Sequence, residues 1–109
     1  MKINDLSLDP LMEFISRNYR FDGDSYPELQ ENPDKAFKFG ISHTAHHMMK
    51  STGVVATEAE RADHGGKVRS EELEIAVVKQ LVNTLKLASH IGLTSSDLIA
   101  SVQGMYKGK

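Results

Sequence analysis

The sequence predicts an all-α fold, a small bundle of about four helices, on three observations. Asp9-Pro10 and Asn32-Pro33 each place a capping side chain before a residue that needs no N–H in the first helical turn. Apolar residues recur at spacings of three and four along most of the chain. No segment alternates apolar and polar residues as a half-buried strand does. The length of 109 residues suits a single helical domain, 1–109, with a core of its own.

The first helix, near residues 9 to 19, opens at DPLMEFISRNY with Asp9 as its cap, and Leu11, Phe14 and Ile15 form its apolar face. The stretch RFDGDSYPELQENPDK that follows is rich in Gly, Pro, Asp and Asn and reads as a long connection, a length that invites a functional role. The second helix, near 33 to 62, starts at the Asn32 cap and runs toward DHGG. At about 100° per residue, Phe37, Ile41, Ala45, Met48, Thr52, Val55, Ala59 and Ala62 share one arc, the expected core face. Gly40 and Gly53 mark a bend or a place of close helix approach.

Ser70 caps the third helix, near 70 to 91, with Glu71 and Glu72 in its first turn and Gly92 at its end. Leu73, Val77, Leu81, Thr84, Ala88 and Ile91 make one apolar face, and Ile75, Val78, Val82 and Leu85 make a second. A helix apolar on two sides must be covered on two sides, so self-association through the second face and a homo-oligomer are expected. The fourth helix, near 95 to 106, carries a capping box of Thr94 and Asp97, with Leu93 and Leu98 as a hydrophobic staple. Leu98, Val102 and Met105 should point inward, and the tail GMYKGK should fray.

Composition narrows the functions. Thirteen Lys and Arg against fifteen Asp and Glu give a formal charge of −2, which argues against general nucleic-acid binding and leaves only local patches. The absence of cysteine excludes disulfides, thiolate metal sites and a cysteine nucleophile, and a cytoplasmic location is expected. The start MKINDLSLDP has no apolar leader, and no apolar run reaches the roughly 18 to 20 residues of a membrane span, so no membrane partner is expected. No G-x-S-x-G or Walker-type run occurs, and no catalytic residue is assigned.

The chemistry concentrates in SHTAHHMMKSTG, residues 42 to 53. His43, His47, Lys50, Val54 and Arg61 lie on one stripe of the second helix beside its core face, with Glu58 at the edge and His46 further round. That stripe has three readings. It is the solvated rim of an amphipathic helix, with histidine stems over apolar surface. It is half of a zinc site, because His43 and His47 are four apart; but a third ligand from Glu58, Asp63, His64 or His90 depends on tertiary placement and Lys50 opposes a cation, so no metal is assigned. Or it recognises an anion together with Lys79, Asn83, Lys86 and His90 on one strip of the third helix, provided that the two strips face each other. At DHGG, Asp63 and His64 either belong to a helix-ending turn or reach a site on the neighbouring helix. The candidate ligand-binding set is His43, His47, Lys50, Asp63, His64, Lys79, Asn83 and Lys86.

The segment LASHIGLTSSDL, residues 87 to 98, resembles the L-A-x-x-L-G-[IV]-[DT]-x-x-x-[AL] pattern of MazG-like proteins of the all-α nucleoside triphosphate pyrophosphohydrolase superfamily. The likeness in helix order runs over roughly residues 35 to 105. The resemblance implies a helical bundle that dimerises or forms higher oligomers, with an active site between the two long helices where magnesium bridges carboxylates and triphosphate. Family enzymes carry E-E-x-x-E on the earlier helix and E-x-x-D on the later one, because a hard cation needs several oxygen ligands. Here, anchored on Gly92, the E-x-x-D positions fall on Ala76 and Lys79, and the second helix has no carboxylate between Asp34 and Glu58. This chain cannot assemble that magnesium cluster, and no cofactor is expected. A lysine in place of a metal-ligating aspartate supplies positive charge directly. Two functions are therefore expected alternatives: a divergent MazG-like protein that recognises a nucleotide or other phosphorylated small molecule, or a non-catalytic helical interaction and oligomerisation module.

Overall fold

A computed structural model of the chain describes residues 6–19 and 32–107. Residues 20–31 of the predicted long connection and the last two residues of the tail lie outside the described residues. The fold is all-α, with helices α1 (Asp9–Asn18), α2 (Pro33–Asp63), α3 (Ser70–His90) and α4 (Ser95–Lys107), and no strand occurs among the described residues. Helix boundaries follow the local chemistry closely. Asn32 caps α2 by accepting from Lys35 N–H at 3.0 Å. Thr94 and Asp97 form the reciprocal box that opens α4, with bonds of 2.9 and 3.1 Å. Gly92 adopts φ 87 after α3, and Leu93 N–H then reaches back to the Ala88 carbonyl at 2.8 Å.

Several local expectations are corrected. Asp9 sits inside the first turn of α1 rather than capping it; Leu8 holds the cap position without a side-chain bond, while Ser7 Oγ accepts from Asp9 N–H at 3.1 Å. Arg69, not Ser70, precedes the first turn of α3. The tail does not fray at GMYK, because α4 continues through Lys107. Val102 and Met105 do not point inward; they are among the most exposed apolar side chains. Gly53 marks no bend or close approach, since α2 runs unbroken across it and the space beside it is open.

Helix α3 is the axis of the molecule, with α2 packed along one side and α1 on the other. Met12 and Ile15 of α1 pack with Leu85 and Ala88 of α3, and Leu8, Val82 and Leu98 close the cluster. Burial of one such side chain as complete as that of Ile15 contributes about 1.5–3 kcal/mol. Met12 takes the inward place expected of Leu11 and Phe14, which are exposed. The Leu8 N–H donates to the buried Ser95 Oγ at 2.7 Å and ties the start of α1 to the start of α4.

The inward face of α2 is rotated by roughly a fifth of a turn from the predicted arc. Gly40, Thr44, Ser51 and Glu58 are its buried residues, whereas Phe37, Ile41 and Val55 are exposed. Small side chains at the seam suit close helix approach. Thr44 Oγ1 donates to the Gly40 carbonyl at 2.8 Å and Ser51 Oγ to the His47 carbonyl, so both hydroxyls are satisfied when buried. Glu58, 1% exposed, accepts from Arg69 backbone N–H at 2.7 Å and from its guanidinium at 2.9 and 2.7 Å. Those side-chain bonds first, and then the backbone bond, hold its carboxyl below the ordinary value, with burial opposing. This pair clamps the turn from α2 into α3 across eleven positions of chain.

Candidate functional site

Because α2 and α1 flank α3 on different sides, two grooves of opposite character run along α3. One is a cleft of about 710 Å³ lined by His43 and His47 of α2, by Lys79, Asn83 and Lys86 of α3, and by Tyr19 just after α1. Its volume lies within the range of small-molecule sites. Ile75, Val78 and Val82 supply an aliphatic wall, and Glu74 is its carboxylate. The other groove, about 480 Å³, is lined by Ser51, Thr52, Val55, Ala76, Val77, Gln80, Leu81 and Thr84, without a charged residue.

Part of each polar strip thus faces one cleft, His43 and His47 from α2 and Lys79, Asn83 and Lys86 from α3. The register of α3 produces this: Lys79, Asn83 and Lys86 are spaced by four and three, so they share the side next to α2. On α2, the stripe of His43 and His47 adjoins the buried seam of Thr44 and Ser51 and therefore borders the same space. The imidazoles of His43 and His47 lie 4.5 Å apart, centroid to centroid, and Phe39 stacks on His43 at 5.3 Å. Burial, followed by the charges of His47, Lys86, His46 and Lys50, pushes His43 below its ordinary value of 6.5. Burial also lowers Lys86. Both shifts disfavour the cationic form relative to a solvated side chain. Asn83 donates one amide N–H to the Lys79 carbonyl at 2.8 Å, leaving a second for a ligand.

Lys50 lies outside this cleft and lines a smaller pocket of about 120 Å³ with Ser51, Val54, Glu72, Ile75, Ala76 and Lys79. Asp63 and His64 are not brought to the cleft. They form the end of α2, where His64, Gly65 and Gly66 N–H groups bond back to the Glu60, Ala62 and Arg61 carbonyls and Gly65 takes φ 79. DHGG is a helix-ending turn. His90 also leaves the α3 strip: its ring stacks on Phe37 at 5.1 Å, with Nε2 2.8 Å from the Phe37 carbonyl. Among the described residues, no three His, Asp or Glu side chains converge in a way that could hold a metal ion.

Tyr19, Glu74 and the aliphatic wall were not legible as site residues. Ile75, Val78 and Val82 carry a clear apolar signal, but the sequence could assign them only to a self-association face with Leu85. Leu85 is buried against α1 instead, at 4% exposure. No helix among the described residues is long and apolar enough to cross a membrane. No protein family, curated protein or solved structure matches the chain.

Proposed function

We propose that this chain is a divergent MazG-like protein whose cleft between α2 and α3 recognises a nucleotide or other phosphorylated ligand without a carboxylate-bound metal cluster. The observation that carries this reading is the convergence of His43, His47, Lys79, Asn83 and Lys86 on one cleft. Phosphate oxygens need several donors from different directions, and charge-assisted bonds from lysine and imidazolium are the strong ones. Support from the resemblance lies in the smaller pocket. Lys50, Ser51 and Val54 have the spacing of E-E-x-x-E, and they line it together with Ala76 and Lys79, the positions matching E-x-x-D. Lys79 lines both this pocket and the cleft, so a lysine stands where a metal-ligating carboxylate would and offers positive charge to the phosphates directly, while Lys50 and Glu72 border the smaller pocket alone. Hydrolysis loses its means of activating water, and binding is the function that persists.

Calorimetric titration with pyrophosphate and nucleoside triphosphates, with and without magnesium, tests the reading. Binding should occur without magnesium and weaken at least tenfold in a Lys79→Ala, Lys86→Ala double variant. Absence of binding in every condition overturns it.

The alternative, an interaction and oligomerisation module located in the cytoplasm, is favoured by a different observation: the charge-free groove on the other side of α3, where Val77 and Leu81 are 62% and 47% exposed. A second copy seated there covers the apolar arc of α2 that α3 leaves open. Homo-oligomerisation through this groove is compatible with ligand binding on the opposite side.

A further inference from the structure

The cleft is not uniformly cationic, and its asymmetry bears on what it takes. Ile75 and Val82 each lie four positions before a lysine, Lys79 and Lys86, so each cation on α3 has an aliphatic neighbour on the same helix surface. Val78 extends that wall, and Tyr19 lines the same cleft. Ile75 and Val78 remain 49% and 53% exposed, in a space open enough for a ligand. Inorganic phosphate would use the basic side and leave this wall in water. A ligand that covers both sides gains apolar burial on top of its charge contacts.

Resting on the phosphate-binding reading above, the geometry points to an amphiphilic ligand, an organic phosphate whose apolar body lies along Val82, Val78 and Ile75 and against Tyr19. Neighbouring side chains at i and i+4 are about 5–6 Å apart at Cβ, so the apolar body must begin within a few bonds of the phosphate. An aliphatic ester meets that requirement. Each methylene taken out of water strengthens binding by roughly three- to fourfold when fully buried, and a wall open on one side delivers part of that.

The test is titration of the intact chain with inorganic phosphate, methyl phosphate and hexyl phosphate at constant ionic strength. Hexyl phosphate should bind at least tenfold more tightly than methyl phosphate. In an Ile75→Ser, Val78→Ser variant, whose changes fall at half-exposed positions, that ratio should drop toward one. Lys86→Gln should weaken both esters together. Sedimentation with phosphatidic acid vesicles separates a soluble organic phosphate from a lipid headgroup held in a bilayer. Binding to vesicles with none to hexyl phosphate overturns the inference. Equal affinity for the three phosphates overturns it while leaving the phosphate-binding reading intact, and absence of any binding removes both.

Discussion

Histidine should make anion binding depend on proton uptake, and the environment of His43 sets the sign of the effect. The groups around it are His46, His47 and Lys50 on its own helix, with Lys79, Lys86 and Glu74 from α3 and Tyr19 from the end of α1. Burial and the surrounding cations hold it below 6.5 in the free protein. If the complex requires imidazolium, affinity rises from pH 7 to pH 6, by at most about tenfold for one proton taken up. Sulfate is the appropriate probe, because its own charge is constant over this range. Calorimetry at pH 6 and 7, in two buffers of different ionisation enthalpy, reads both the affinity and the proton count. His43→Gln should abolish the slope. Affinity that stays flat or falls on acidification refutes the reasoning, as does a slope that survives in His43→Gln. For the free protein the sign is opposite. Below about 6.5 the unfolded chain takes up a proton that folded His43 resists, so stability should decline as pH falls through that region.

Leu85→Ala should cost about 2–5 kcal/mol in urea unfolding, since it removes a 4%-exposed member of the α1–α3 cluster, whereas Phe14→Ala, at 58% exposure, should cost far less. Equal losses would mean that α1 packs through the face containing Leu11 and Phe14. Sedimentation equilibrium at high micromolar concentration should show self-association that Leu81→Lys abolishes and Val102→Lys does not. Dissociation by neither, or a monomer from the outset, would count against the charge-free groove as an interface.

The four helices could be read from sequence because their ends are encoded locally, in Asn32-Pro33, in Thr94 with Asp97, and in the glycines at 65 and 92. The face of α2 could not. A scan for apolar periodicity favours Phe37, Ile41 and Val55, but the seam against α3 uses Gly40, Thr44, Ser51 and Glu58. Thr44 and Ser51 carry their own backbone acceptors, and Glu58 has a partner in Arg69 that no helical period reveals. That rotation decides the site. It brings His47 next to the seam and turns His43 over the α3 lysines, an outcome that depends on how two helices roll against each other. Lys79, Asn83 and Lys86 were legible as one strip; their meeting with the histidines was not.

The Leu8–Ser95 hydrogen bond joins positions 87 residues apart, whereas the Glu58–Arg69 clamp closes only eleven. Closing the longer loop carries the larger entropic cost, so α2 and α3 should assemble first as a local hairpin, with α1 docking later. By the same argument the amides of α1 should exchange with solvent through a partial opening that leaves the hairpin intact. Tyr19 stands at the end of that late-docking helix. Undocking of α1 would therefore take one wall away from the cleft while His43, Lys79 and Lys86 stay where they are, giving a bound molecule a route of escape that needs no separation of α2 from α3.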